Sequence, residues 1–248
     1  MPYTHLAIVY SLACVYFGGC VKGLTGFGFS LVAVATLVVV APPSLVVPVV
    51  LLMNSLMNLI LLYGARRHVD ARRALPLGVA GIAGLPLGAY ILAVADAATL
   101  RVVIGIVILV FAVALFTGFR KEIRRERLGS ALVGFTGGLL NGSTGTGGPP
   151  VVLFLSNLGI SKLTFRANLI AYFVCINLAA LPFFYARGIL TAEVMRTLAL
   201  LLPAFILGSL TGTRLLGRVS EEAFRRITLA IVAAAAVMAV VAGLRGLR

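Results

Sequence analysis

Apolar and polar positions fall in blocks along this chain. Ten apolar runs lie near 6–21, 29–41, 45–63, 74–95, 100–119, 128–141, 148–157, 166–185, 195–216 and 223–244, separated by short polar or charged connectors. In each set of five, the last three approach the ~20 residues a helix needs to span a hydrocarbon core. The first two are shorter. At 1.5 Å per residue, a helix of ~13 residues reaches only ~20 Å. Each short pair flanks a glycine-rich stretch. The pattern predicts two half-helices meeting at a glycine break near midplane, either re-entrant or as a broken spanning pair.

The two sets are copies. Gly18, Gly19, Gly23, Thr25, Gly26 and Gly28 recur as Gly137, Gly138, Gly142, Thr144, Gly145 and Gly147 at a constant spacing of 119 positions. Asn54 and Tyr63 are echoed by Asn177 and Tyr185 with a one-residue slip, and Gly84 and Gly88 by Gly208 and Gly212. Leu100–Arg101 is echoed by Phe224–Arg225. A repeat of this kind organises the whole chain. It divides the chain into a first transmembrane repeat, 1–119, a basic linker, 120–127, and a second transmembrane repeat, 128–248.

Composition sharpens the membrane reading. Hydrophobic residues make up 61% of the 248 positions and charged residues only 11%, less than half of the ~25% typical of a soluble domain. The net charge is +14. In a soluble protein that would raise the question of nucleic acid, but here the basic residues sit between apolar runs, as a topology signal does. Arg66, Arg67, Arg72 and Arg73 crowd one connector, whereas its repeat partner, from Arg187 to Arg196, is weakly charged. Asp96 to Arg101 is nearly neutral, whereas its partner carries Arg214, Arg218, Arg225 and Arg226. The bias flips between equivalent connectors. The expectation is therefore an all-α integral membrane protein of two inverted repeats, each with a glycine-broken pair of short half-helices plus three spanning helices. The linker, with Arg120, Lys121, Arg124, Arg125 and Arg127, would be cytoplasmic, in the inner (plasma) membrane of the cell.

Candidate chemistry centres on the breaks. Irregular backbone survives at membrane depth only inside protein or beside a water-filled cavity. Helix N-termini facing such a break aim free N–H groups and a positive dipole end at it, which suits an anion. The residues favoured for substrate are Thr25, Gly26, Phe27 and Gly28 in one half, and Asn141, Ser143, Thr144, Gly145, Thr146, Gly147 and Gly148 in the other. Pro149 suits the first turn of the helix that follows. The competing reading is that these glycines only let helices pack closely, and the stripes Gly78, Gly81, Gly84, Gly88 and Gly208, Gly212 read most simply that way. Intramembrane amides need partners. Asn54 and Asn177 could face an anion or glue helices, while Asn58 and Asn168 read as glue. Lys22 beside the first break could attract an anion or snorkel to a headgroup. Arg166 could grip an anion or anchor at the interface.

Absences narrow the function. Asp70, Asp96, Glu122, Glu126, Glu193, Glu221 and Glu222 all lie in connectors or at segment ends, which leaves a proton pump without its usual parts. Cys14, Cys20 and Cys175 have no metal or disulfide spacing. His5 and His68 lie outside the apolar runs, so no catalytic pair is expected. The chain reads as no enzyme, with no cofactor and no metal. Its expected partners are a small anion and membrane lipid, not nucleic acid, with a homo-oligomer left open.

Gly18 to Gly28 near the N-terminus and Gly134 to Pro150 after the basic linker resemble the sulfite exporter TauE/SafE family of membrane permeases. Length, two-half layout and charged linker agree. The resemblance implies export of small sulfur-containing anions such as sulfite or organosulfonates, with the central site falling on Thr25 to Gly28 and Thr144 to Gly148. Phe27 and Phe29 would stand opposite Thr146 and Gly148, giving a pocket polar on one side and aromatic on the other. The resulting expectation is an alternating-access transporter with substrate between the breaks. An anion channel using the same breaks and a non-transport scaffold are the alternatives.

Overall fold

A computed structural model describes residues 5–116, 126–215 and 221–246, without the side chains of Thr25, Leu115, Phe116 and 221–232. Arg120, Lys121, Arg124 and Arg125 of the basic linker, Arg218, and the side chains of Arg225 and Arg226 lie outside the described residues. The described chain is all-helical, with α1 (His5–Thr25), α2 (Phe29–Leu37), α3 (Pro43–Ala65) followed by the 3-10 turn Arg66–His68, α4 (Ala71–Val94), α5 (Ala97–Phe116), α6 (Glu126–Thr144), α7 (Gly148–Ser156), α8 (Lys162–Ala186), α9 (Ala192–Arg214) and α10 (Glu221–Gly246). Among the described residues, six helices, α1, α3, α4, α5, α8 and α9, are long and apolar enough to cross a membrane. Helix starts follow their capping residues. Asp70, Ser161 and Thr191 accept from the backbone N–H of Arg72, Thr164 and Val194 at α4, α8 and α9, satisfying donors the first turn leaves orphaned.

One expectation is corrected. The first member of each glycine-flanked pair is not half-length, since α1 has 21 residues and α6 has 19. Only α2 and α7, with nine residues each, are short. The reason is that most of the repeated glycines stay helical. They serve close packing, which outweighs their modest helix penalty. A Cβ on Gly19 would lie 2.7 Å from the Phe205 carbonyl of α9, and Gly23 abuts the Ser209 carbonyl. In the other half Gly138 abuts the Gly81 carbonyl of α4, and a Cβ on Gly142 would lie 2.9 Å from that of Leu85. Gly84 and Gly88 press onto α6, and Gly208 and Gly212 onto α1, so the small-residue stripes are packing faces as expected.

These contacts set helix directions. Gly19 and Gly23 meet successive turns of α9, and Gly84 and Gly88 meet successive turns of α6. Thus α1 runs parallel to α9, and α4 parallel to α6. Gly105 of α5 meets Ala236 and Val240, whereas Gly243 of α10 meets Ala98 and Val102, so α5 and α10 run antiparallel. The short helices fold back along their partners. Phe29 packs on Gly18 and the Thr36 carbonyl accepts from Tyr10 Oη at 3.2 Å. Val151 reaches Gly137 and Phe154 reaches Gly129 in the second half.

Charged side chains tie helix starts together at one end of the bundle. Arg73 Nε donates to Glu126 Oε1 at 2.6 Å and its Nη1 to Asp70 Oδ2 at 3.0 Å, joining the starts of α4 and α6. The Asp70 N–H donates to Asn168 Oδ1 at 2.8 Å, which brings the start of α8 to the same end. At the opposite end of α4 the Arg187 guanidinium lies 5.0 Å from the centroid of the Tyr90 ring.

Candidate functional site

The helical hairpins α1–α2 and α6–α7 turn where the glycines leave the helical region. Gly26 and Gly28 have φ of 80° and 90°, and Gly145 has 69°. These are values that side chains with a Cβ rarely adopt. Gly26 and Gly145 close their helices alike, through N–H bonds to the Lys22 carbonyl at 2.7 Å and the Asn141 carbonyl at 3.1 Å. Each break then packs on the opposite half. Gly26 lies beneath Arg166 of α8, and Gly145 lies against Val34 and Val47 of α2 and α3.

Between the breaks is a cavity lined by Lys22, Phe27, Gly28, Phe29, Ser30 and Asn54 from the first half and by Thr146, Gly148, Pro149 and Phe173 from the second. The N-termini of α2 and α7 both open onto it. Its volume is about 20 Å³, room for a water but little more. Of the two helix starts, α2 is the richer in donors, because Pro149 and Pro150 in the first turn of α7 carry no N–H.

Lys22 is the charged group of this cavity. It is 2% exposed, so it does not snorkel. Its Nζ donates to Asn54 Oδ1 and Asn58 Oδ1, both at 2.8 Å. Asn54 Nδ2 in turn donates to Ser30 Oγ at 2.6 Å. Both acceptors are side-chain amides, so the ammonium is held by neutral groups. An ammonium has three donors, and two are directed at α3.

The other half is built differently. Asn141 Nδ2 donates to Asn177 Oδ1 at 3.0 Å, and neither residue lines the cavity. Ser143 and Thr144 donate to carbonyls one turn back, Leu139 and Leu140. Thr146 Oγ1 lies 2.6 Å from Thr144 Oγ1. With the Thr144 proton on the Leu140 carbonyl, Thr146 donates within this pair. Gly147 is packed on Gly137 and Asn141.

A family model described as sulfite exporter TauE/SafE matches residues 11–239. The chain belongs to this family. It is similar to a curated protein of Cupriavidus necator named "Probable sulfite/organosulfonate exporter TauE", at 26% identity over 214 residues that cover 84% of this chain and 84% of that protein. No solved structure matches. As a TauE/SafE member the chain is a multi-pass protein of the plasma membrane, from a family of transporters rather than enzymes, and an anionic substrate is implied.

Of the residues singled out from this TauE/SafE sequence, the structure brings Lys22, Phe27, Gly28, Asn54, Thr146 and Gly148 to one cavity. Arg166 stands over Gly26. Asn141, Ser143, Thr144, Gly145, Gly147 and Asn177 support the second break from behind. Thr25 ends α1, and its side chain lies outside the described ones. Ser30 and Phe173 were not foreseen as lining residues. Ser30 carried a weak signal, a hydroxyl in the first turn after a glycine break. Phe173 carried none, being one of several aromatics in an apolar helix. Asn168, read as glue, does bridge two helices, through the Asp70 N–H.

Proposed function

We propose that this protein exports a small sulfur-containing anion, such as sulfite or a short organosulfonate, bound between the two glycine breaks and released by alternating access. The observation that carries this reading is Lys22, a buried cation on the wall of the cavity with only neutral amides for partners. A buried charge without a counter-charge is expensive, and an anionic substrate supplies one. Two helix N-termini opening on the same cavity act in the same sense. Phe27, Phe29 and Phe173 suit a short carbon body. The name of the Cupriavidus necator relative points to the same substrate class.

The moving parts, in this reading, are inverted repeats, 1–119 and 128–248, joined by a cytoplasmic linker at 120–127, with α2 and α7 as re-entrant short helices. The antiparallel run of the equivalent helices α5 and α10 supports inversion, as does the pairing of α1 with α9 in the manner of α6 with α4. Arg166 would collect anions at the cytoplasmic mouth.

The test is thermal stabilisation of the purified protein with sulfite, thiosulfate, sulfate, short sulfonates and carboxylates, since a ligand of the folded state raises apparent stability. A sulfur anion that raises the melt, and that is also carried out of liposomes, is the expected result. A melt unmoved by every sulfur anion, with no flux of labelled anion, overturns the reading.

A further inference from the structure

Asn58 has one hydrogen-bonding task. It is fully buried, and its Oδ1 accepts from Lys22 Nζ at 2.8 Å. Among the described residues its Nδ2 has no partner. Asn54, one turn earlier on α3, also ties down Ser30 of α2, whereas Asn58 ties down nothing else by hydrogen bond and does not line the cavity. An amide that leaves a buried donor unpaired in order to aim its carbonyl at an ammonium is placed there for the ammonium. Both acceptors of Lys22 are neutral. A carboxylate in either place would hold the ammonium permanently and repel an arriving anion, while an amide carbonyl yields to an anionic oxygen, whose hydrogen bond to the same ammonium is stronger.

We propose that Asn58, together with Asn54, is a stand-in acceptor that solvates the Lys22 ammonium during the substrate-free return step, so that the carrier performs net efflux rather than obligatory exchange. This rests on the alternating-access reading above. A carrier must return to its inward-facing form after releasing the anion. With an ammonium left without acceptors inside the protein, that return would be slowed by the cost of the buried charge, and swapping the anion for another would be favoured. Two amide oxygens within hydrogen-bond distance lower that cost. Asn58 acts on Lys22, not on substrate, and its loss leaves the loaded complex intact.

The experiment uses proteoliposomes loaded with labelled methanesulfonate, with potassium and valinomycin present to carry compensating charge. Net efflux into sulfonate-free buffer is compared with exchange against external unlabelled methanesulfonate. In the wild type the two rates are comparable. In Asn58→Leu net efflux falls by about tenfold, as expected for the loss of one hydrogen bond to a charged group, while exchange stays within about twofold of wild type. The exchange rate itself reports that the variant is folded and binds substrate. Should the leucine prevent insertion, Asn58→Ala removes the acceptor without added bulk and gives the same split. Equal slowing of both rates, or slowing of neither, overturns the inference and leaves the anion-carrier reading standing. A wild type that carries methanesulfonate in neither mode removes that reading and this inference with it.

Discussion

The ammonium of Lys22 donates to Asn54 Oδ1 at 2.8 Å, in the last turn before the first break. One repeat later, at the position equivalent to Lys22, Asn141 donates to Asn177 Oδ1 at 3.0 Å. The same link from the end of a long helix to the middle of α3 or α8 thus occurs twice, charged in one half and neutral in the other. That single difference in residue type makes the cavity one-sided, with Lys22 and Asn54 in its lining and neither Asn141 nor Asn177. Lys22→Gln keeps a donor for Asn54 and removes the charge. Sulfur-anion affinity is expected to fall by about ten- to a hundredfold, the equivalent of ~1.5–3 kcal/mol for a hydrogen bond to a charged group. Titration of the thermal shift reads this directly, and an unchanged affinity would dismiss Lys22 as the counter-charge.

Asn177→Leu tests the neutral link. It strands the buried Asn141 Nδ2, so stability is expected to drop by about 1–3 kcal/mol. Anion affinity should hold, because neither amide lines the cavity. The double change Asn141→Leu, Asn177→Leu should recover part of the loss, since two apolar groups leave nothing unsatisfied. Melting of the three variants with and without ligand decides it. A selective loss of affinity would put Asn177 back in contact with substrate.

Gly28 and Gly147 are equivalent in the repeat but differ in surroundings. Gly28 lines the cavity at a φ of 90°, whereas Gly147 has a φ of −70° and presses on the Gly137 carbonyl. Gly28→Ala is expected to cost about 1–2 kcal/mol in backbone strain and to block flux by crowding the cavity. Gly147→Ala should cost about 1–3 kcal/mol through overpacking and leave the affinity of the folded fraction unchanged. Melting and flux measured on the same preparations separate the two cases. A Gly28→Ala protein with wild-type flux would move the site elsewhere.

Single cysteines at Arg72 and Arg187, in a background with Cys14, Cys20 and Cys175 replaced, should be labelled by a membrane-impermeant reagent from opposite faces. Arg72 lies in the first turn of α4 and Arg187 lies over Tyr90 near its far end, about 27 Å apart along the helix at 1.5 Å per residue. Labelling of both from one face would contradict the inverted arrangement.

How much of this was legible beforehand differs between elements. The long apolar runs announced α3, α4, α5, α8 and α9, because lipid demands about 20 apolar residues and little else competes. The glycine repeat announced where the chain would break, but not which glycines would do it. Gly19 and Gly26 look alike in sequence. One faces the α9 backbone and stays helical, and the other turns under Arg166. Likewise Asn58 and Asn168 are both intramembrane amides. Only the placement of α1 shows that Asn58 holds Lys22, and only the α3–α4 connector shows that Asn168 holds Asp70. Ser143 and Thr144 looked like ligand hydroxyls and instead bond to their own helix, as Ser and Thr do wherever a carbonyl one turn back is within reach.

Composition and periodicity by themselves determined that this chain enters a membrane and that a glycine-rich pattern recurs 119 positions apart, marking two places where a helix would be interrupted. Those properties depend on the chain's own length, polarity and backbone freedom. Tertiary structure decided that the two breaks share one cavity, that Lys22 is buried in its wall with neutral partners, and that the second set of polar residues braces the backbone behind it. A side chain's partner is set by which helix lies against it, and residues 22 and 58, or 26 and 166, acquire their relation only when the helices pack.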